Sequence, residues 1–250
     1  MKDTLRQTAN LVTVLIALTV NILASALPLN GQNTGEISDR FQVYFVPAGY
    51  VFAIWFLIFV GWVVFAVYQF LPSQKESPRL RRLGNLFAFS NIINAAWLFA
   101  WHYNYFGLSV VIMLVLLGLL IASYLRLNVN RVSVSRAERW SVDIPFSVYL
   151  GWITVATVAN ITSWLYYIEW NGIGIPAPVW AVIMIVVASI VGVAMTITRR
   201  DAAYLLVLAW SFIGIAIKQA SVSNVATTAW VGAGFMFLLA VYGIFRRQTA

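Results

Sequence analysis

Eight long apolar segments, separated by short polar stretches, make up most of the chain. Each holds about 20 residues with almost no charged side chain, which is typical of a helix that crosses a lipid bilayer. The pattern therefore predicts an all-α fold, a polytopic (multi-pass) membrane helical bundle of eight transmembrane helices. The predicted spans are residues 8–28, 48–71, 84–103, 107–126, 144–167, 178–198, 202–219 and 224–245.

Prolines and one aspartate mark several of the predicted helix ends. Proline has no backbone N–H to donate, so it fits the first or last turn of a helix better than the interior. Asp143 comes just before Ile144 and Pro145, and we expect its side chain to cap the fifth helix. The prolines at predicted ends are Pro28, Pro47, Pro72, Pro145 and Pro178.

The composition supports a membrane protein and excludes several other classes. The chain has 250 residues, of which 62% are hydrophobic and only 10% are charged, whereas soluble domains carry about 25% charged residues. The lack of cysteine excludes disulfides and thiolate metal sites. A single histidine, His102, gives no basis for a histidine metal cluster, so we expect no metal site.

Basic residues are distributed unevenly among the predicted loops. If the N-terminus is cytoplasmic and eight helices alternate, 14 of the 16 Lys and Arg residues lie inside, and only Arg40 and Lys218 lie outside. Membrane proteins collect basic residues on the cytoplasmic side, so the net charge of +8 predicts no nucleic-acid partner. We expect an integral protein of a bacterial plasma membrane with cytoplasmic N- and C-termini. The inside residues are Lys2, Arg6, Lys75, Arg79, Arg81, Arg82, Arg126, Arg131, Arg136, Arg139, Arg199, Arg200, Arg246 and Arg247.

The first segment has a second interpretation. Its charged start, its apolar run and the small residues Ala24, Ser25 and Ala26 resemble a signal peptide with its cleavage site. Cleavage would leave seven helices. The apolar run is long for a signal peptide, which favours a first transmembrane helix.

The longest predicted outer loop, residues 29–46, mixes turn-forming residues with aromatic ones. The aromatic residues favour contact with the membrane surface, whereas a linker would be polar throughout. The loop is therefore either a lid over an outward-facing cavity or part of an interfacial aromatic belt. The turn formers are Asn30, Gly31, Asn33 and Gly35, and the aromatic residues are Phe41, Tyr44 and Phe45.

Tryptophan and asparagine share one face of the fifth predicted helix. Trp152, Ala156 and Asn160 are spaced four residues apart, so they form a stripe about 12 Å long. An asparagine that faced lipid would be costly, so we expect the stripe to face inward. Tight packing is the simpler explanation for Ala156, and a hydrogen bond to a neighbouring helix is the simpler one for Asn160.

The third predicted helix carries the same combination of residues. Asn94 lies one turn before Trp97, and Trp101 follows one turn later on the same face. Two helices that each present indole beside carboxamide can line a pocket with flat apolar walls and a few polar groups. Such a pocket suits a flat, mostly apolar ligand.

Three stretches resemble the TspO/MBR family, the tryptophan-rich sensory proteins. YLGWITVATVAN (149–160) is similar to the family's fifth-helix signature, and NAAW (94–97) resembles its third-helix motif. PAGYVFAIW (47–55) resembles the second-helix motif, although Ala48 and Tyr50 replace a proline and a tryptophan and the spacing to Trp55 is one residue shorter. The resemblance covers residues 1–168, which divides the chain into a TspO-like five-helix ligand-binding bundle and an additional three-helix membrane segment, 169–250. The small residues Gly192, Gly214, Gly232 and Gly234 of that segment predict close helix packing.

The resemblance implies a protein that binds porphyrins or related flat hydrophobic ligands, with sensing, buffering or transport as its role. We expect the lipid bilayer and a hydrophobic small molecule, a porphyrin or haem, as partners, and we also consider a homodimer. By matching motif positions, the ligand-binding residues are Trp55, Asn94, Trp97, Trp101, Tyr149, Trp152, Ala156 and Asn160.

Other functions follow from weaker signals. No hydrolase elbow, phosphate loop or carboxylate pair lies in the predicted spans, so we expect no enzyme. A transporter built from all eight helices, a porphyrin-degrading activity and a bundle that stabilises partner proteins are the alternatives. His102 is either an interfacial residue or a haem ligand, and Lys218 either extends to the surface or holds an anionic group.

Overall fold

A computed structural model describes residues 2–27 and 29–245. All the regular structure in these residues is helical, and eight of the helices have at least 15 residues. The predictions about Pro28, Arg246 and Arg247, and about the side chain of Lys2, fall outside the described residues. The long helices are α1 (Lys2–Ala26), α2 (Ile54–Tyr68), α3 (Leu86–His102), α4 (Phe106–Arg126), α5 (Ile144–Tyr167), α6 (Ala177–Arg199), α7 (Ala202–Lys218) and α8 (Ser223–Phe245).

Six helical stretches are long and apolar enough to cross a membrane. α3 and α7 have 17 residues each, a length of about 25 Å, which is short for a hydrocarbon core of about 30 Å. The fold is thus an all-helical membrane bundle, and the crossing of the bilayer by α3 and α7 stays a prediction. The six stretches are Asp3–Ala26, Gly49–Tyr68, Phe106–Arg126, Arg136–Tyr167, Ala177–Arg199 and Ser223–Phe245.

The first five helices form a closed ring. α1 packs on α2 and α3, α3 packs on α4, and α4 and α2 both pack on α5. The last three helices form a second group, in which α7 and α8 have the most extensive contact. α7 joins the two groups because it also packs along α5.

Short helical pieces shape the loops between the long helices. Helix Thr34–Asp39 lies within the 29–46 loop, and its Asn33 and Glu36 side chains each accept a hydrogen bond from the other's backbone N–H in a capping box. This loop is therefore more ordered than its turn-forming residues predict. The other short pieces are Leu29–Gly31, Gly49–Ala53, Pro72–Gln74, Pro78–Leu83, Arg136–Glu138, Arg139–Asp143 and Gly172–Gly174.

The first helix begins earlier than its hydropathy predicts, at Lys2 instead of about residue 8. Gln7 in this additional turn and Asn10 in the next turn are buried against the end of α2. Gln7 Nε2 donates to the Gln69 carbonyl (2.5 Å), and Asn10 Nδ2 donates to Gln69 Oε1 (2.8 Å). Polar side chains that face a neighbouring helix extend α1 beyond its apolar run.

The prediction that Asp143 caps the fifth helix is wrong. Asp143 has helical backbone angles and makes no capping hydrogen bond. Its carboxylate is buried and forms an ion pair with Arg79, which also contacts Glu138 Oε1 (2.7 Å) and the Leu127 carbonyl (2.7 Å). Burial disfavours the charged form of Arg79, but the two carboxylates outweigh it and raise its pKa above the ordinary value.

The two ends of the bundle differ in charge. We call the end that carries the 29–46 loop the loop end, and the end that carries Arg79 and Arg199 the basic end.

At the basic end the buried Asp201 carboxylate accepts hydrogen bonds from the Tyr124 and Ser147 hydroxyls, both at 2.6 Å. Because Tyr124 and Ser147 lie in α4 and α5, Asp201 links the second group of helices to the first.

Candidate functional site

The polar and aromatic stripes of α3 and α5 face each other. Trp97 Nε1 donates a hydrogen bond to Asn160 Oδ1 (2.9 Å), and Asn160 Nδ2 donates to the Ser109 hydroxyl (2.9 Å). Asn160 therefore joins three helices, α3, α4 and α5. Its polar atoms are already engaged within the protein, which is the structural role that a membrane asparagine commonly has.

A narrow apolar cavity lies beside this contact, at the loop end of α5. Its volume is about 40 Å³, enough for a few water-sized groups but far below the roughly 300 Å³ of a typical ligand pocket. Six of the eight predicted ligand-binding residues line it, and they are Trp55, Trp97, Trp101, Trp152, Ala156 and Asn160.

A larger cleft of about 490 Å³ lies between α1, α2, α3 and helix Thr34–Asp39. Thr34, Phe52, Trp55 and Trp97 line both the cavity and the cleft. The cavity and the cleft therefore adjoin each other. The carboxylates at its margin are Glu36 and Asp39.

Aromatic rings line much of the cavity and part of the cleft. The Trp152 ring is 5.6 Å from Phe52 and 6.3 Å from Trp55, both edge to face. Trp97 and Trp101, which also line the cavity, are stacked with their centroids 5.7 Å apart. Flat aromatic faces are suited to a planar guest.

Comparison with known proteins places this architecture in a family. A family model described as TSPO-like protein matches residues 7–242. The chain belongs to the TSPO-like protein family. This confirms the resemblance read from α3 and α5, and it extends that resemblance, because the match continues past residue 168 through α6, α7 and most of α8. No curated protein and no solved structure matches the chain significantly.

Two predicted residues of this TSPO-like protein do not line the cavity. Asn94 is buried and its Oδ1 accepts a hydrogen bond from Asn21 Nδ2 (2.9 Å) across the α1–α3 contact. Tyr149 is buried one turn before Trp152 and packs against Trp62, with ring centroids 5.3 Å apart. Both residues are therefore buried outside the cavity lining.

Several buried donors near the cavity lack an acceptor. The indole nitrogens of Trp62 and Trp152 have no hydrogen-bond partner, although both rings are about 2% exposed. Asn94 Nδ2 and the Tyr149 hydroxyl lie close to each other but form no bond of standard geometry. An unpaired buried donor costs about 1–3 kcal/mol. Of these four residues, Trp152 is the one that lines the cavity.

His102 holds the 29–46 loop instead of facing the cavity. Its Nδ1–H donates to the Leu29 carbonyl (3.2 Å), which leaves Nε2 to accept from the Thr34 hydroxyl (3.0 Å). The ring is fully buried within the protein, and its location at the membrane interface stays a prediction. With both nitrogens engaged, His102 is also not placed to ligate haem iron. Within the described residues, no group of three or more His, Cys, Asp or Glu could hold a metal ion.

The sequence did not identify the residues that the 29–46 loop and its surroundings contribute. Thr34, Ser38, Pro47 and Phe52 line the cavity. Pro47 and Phe52 lie in the 47–55 motif, but that motif did not assign them to the site, and nothing in the local pattern of Thr34 and Ser38 distinguishes them from ordinary loop residues. One signal was present: Asn33 followed three residues later by Glu36 is a capping pattern that predicts the start of a helix.

Proposed function

We propose that this TSPO-like membrane protein binds a flat, largely apolar ligand of the porphyrin type in the combined cavity and cleft, and acts in sensing, buffering or transport of that ligand. The observation that carries the proposal is that the two spaces adjoin and share Phe52, Trp55 and Trp97 in their linings. The proposed binding residues are the six cavity-lining ones, with Asn94 and Tyr149 buried outside the lining.

The sizes of the two spaces decide how a guest would lie. The cavity of about 40 Å³ is too small for a macrocycle, whereas the cleft of about 490 Å³ falls within the usual range for ligand sites. The ring then occupies the cleft against Trp55 and Trp97, and one edge reaches Trp152.

The polar groups favour a particular orientation of the guest. The unpaired Trp152 N–H offers a hydrogen bond to an acceptor on the inner edge. The margin of the cleft carries Glu36 and Asp39, and Asp39 is neutralised by Lys218 at 2.6 Å. Acidic substituents of a porphyrin therefore point toward solvent, away from Glu36, while the apolar edge enters first.

An absorbance titration of the purified protein with protoporphyrin tests this proposal. The double variant Trp152→Ala with Ala156→Phe removes the donor and fills the cavity, so we expect binding to weaken at least about tenfold. The control is Trp230→Ala with Ala194→Phe, which makes the same exchanges at exposed positions of α8 and α6. Equal affinity of both double variants and the wild type would remove the proposed site.

The titration also separates binding from chemistry. Under light and air, a binding protein leaves the porphyrin absorbance band intact, whereas a degrading enzyme makes the band decay only when protein is present. We expect the porphyrin absorbance band to stay constant, as for a protein that binds porphyrin without degrading it.

Transport by all eight helices is the second candidate. The observation in its favour is a set of buried carboxamides along the contacts of α1, including Asn10, Asn21 and Asn91. Gradient-driven uptake of porphyrin into proteoliposomes would support transport, and its absence would favour sensing or buffering. Size-exclusion chromatography with light scattering tests the homodimer.

A further inference from the structure

One face of α7 contacts the chain that leads from the 29–46 loop into α2. Trp210, Gly214 and Lys218 are spaced four residues apart, so they lie on one stripe about 12 Å long. All three contact residues between Asp39 and Val51. This stripe belongs to the second group of helices, for which the cavity and cleft give no role.

The contacts are mostly to the backbone. Ala48 N–H donates to the Gly214 carbonyl (3.1 Å), and Trp210 Nε1 donates to the Val51 carbonyl (3.2 Å). Gln219, just after α7, donates through Nε2 to the Val43 carbonyl (3.3 Å). Backbone bonds fix the path of the segment whatever its side chains are.

Gly214 allows the closest approach. A Cβ atom at this position would lie 2.2 Å from Val51 Cγ2 and 2.9 Å from Pro47 Cβ. Both distances are below any normal carbon–carbon contact. Any larger residue must push Pro47 and Val51 away from α7.

The same segment forms the wall of the proposed site. Pro47 and Phe52 line the cavity, and Phe52 lies edge to face with Trp152 at 5.6 Å. At its other end the loop is fixed to α3, because Asn30 Nδ2 donates to the His102 carbonyl (3.0 Å) and Trp101 Nε1 to the Thr34 carbonyl (3.3 Å). The wall is thus held from two sides, by α3 and by α7.

We propose that α7 positions the wall of the ligand site, with Trp210, Gly214 and Lys218 as positioning residues. They touch no ligand themselves, but they set where Pro47 and Phe52 stand. This gives the second group of helices a function: it supports the opening of the site formed by the first group. The proposal rests on the proposed ligand site, and one of its tests is independent of any ligand.

The ligand-independent test measures how well the 29–46 loop covers the cavity. The chain has no cysteine, so Ser38→Cys provides a single thiol at a cavity-lining position that is 6% exposed. We expect slow labelling by a water-soluble maleimide in the otherwise wild-type chain. Adding Gly214→Ala should accelerate labelling at least about fivefold, because the displaced segment uncovers residue 38.

Gly234→Ala is the matched control. It is also a helical glycine to alanine exchange, but an added Cβ there meets nothing within 4 Å. We expect no change in labelling from this control. Equal labelling rates with Gly214→Ala and Gly234→Ala would overturn the proposal.

The ligand-dependent test uses the Lys218–Asp39 pair. It tests the positioning role of α7 even if the Gly214→Ala variant does not fold. Lys218→Met should raise the porphyrin dissociation rate about two- to fivefold, since a partly exposed pair contributes modestly. The exchanged pair, Lys218→Asp with Asp39→Lys, should restore the wild-type rate to within about twofold. Failure of the exchange to restore the rate would contradict the positioning role of Lys218.

The two tests separate the two proposals. If no variant and not even the wild type binds porphyrin, the proposed function fails, while the labelling rates still decide whether α7 holds the loop. If porphyrin binds but Gly214→Ala changes neither labelling nor affinity, the ligand site stands and the role of α7 is refuted.

Discussion

At the scale of single residues, two tryptophans of the same site differ in how their indole N–H groups are used. Trp97 Nε1 is bonded to Asn160, whereas Trp152 Nε1 is buried without an acceptor. The sequence placed both residues on inward stripes by helical spacing alone. It could not distinguish them, because whether a donor finds an acceptor depends on the neighbouring helix.

Replacing each of these tryptophans by phenylalanine should therefore have different effects on stability. Trp97→Phe removes the shorter of the two hydrogen bonds to Asn160 Oδ1 and leaves only the longer one from the Ser109 hydroxyl (3.3 Å), so we expect a loss of about 1–2 kcal/mol in the free energy of unfolding. Trp152→Phe removes a donor that had no partner, so stability should stay nearly constant while porphyrin affinity falls. Thermal unfolding in detergent, combined with the absorbance titration, measures both; equal destabilisation by the two variants would contradict this assignment.

A second residue-scale prediction concerns Arg79 at the basic end. Arg79→Met leaves the buried Asp143 carboxylate without its cation, so we expect a loss of about 3–5 kcal/mol. Arg81→Met is the control, because Arg81 is exposed and its pair with Asp3 is also at the surface. We expect the control to unfold at nearly the wild-type temperature. An unchanged unfolding temperature for Arg79→Met would show that the buried pair is dispensable.

At the scale of elements, the sequence predicted the long helices within a few residues, apart from the starts of α1 and α2; α2 begins at Ile54 instead of residue 48, after the short helix Gly49–Ala53. Apolar runs and prolines are local signals, and they were sufficient for this purpose. The contacts between Ala48 and Gly214, or Trp210 and Val51, were not predictable, because they join distant parts of the chain through backbone groups that every residue has. Helix Thr34–Asp39 was partly predictable, because its capping pattern marks its start but nothing local marks its contacts.

Helix packing in the second group depends on individual glycines. A Cβ atom at Gly192 would lie 2.4 Å from Met236 Sδ and 3.2 Å from Leu208 Cδ1, whereas one at Gly234 would meet nothing within 4 Å. The prediction of close packing thus holds at Gly192 and not at Gly234. We expect Gly192→Val to destabilise the protein by about 1–3 kcal/mol. Gly234→Val is the control, and thermal unfolding that ranks the two variants in the opposite order would contradict the observed packing.

At the scale of the whole molecule, the charge distribution predicts how the protein lies in the membrane. Hydropathy and basic residues indicate which segments are apolar and which loops share a side. They do not indicate which helices touch, because lipid tails and neighbouring helices are equally apolar surroundings for a side chain. The placement of α7 between α5 and α8 is therefore information that only the structure provides.

The orientation can be tested in whole cells, because the natural chain has no cysteine. Ile173→Cys lies at an exposed position of the loop between α5 and α6, and Ser73→Cys lies at an exposed position of the loop between α2 and α3. If the basic end faces the cytoplasm, a membrane-impermeant maleimide added to intact cells should label residue 173 and spare residue 73. The opposite labelling pattern would reverse the predicted orientation.

The central claim is that a planar ligand occupies the cleft beside Trp55 and Trp97 with one edge at Trp152. The most direct measurement is an anomalous difference map at the zinc absorption edge, from crystals of the protein grown with zinc protoporphyrin. We predict a metal peak inside the cleft, between α1, α2 and α3. A peak in the other aromatic groove, lined by Tyr166, Trp170 and Trp180, or at the lipid-facing surface, with none in the cleft, would contradict the account.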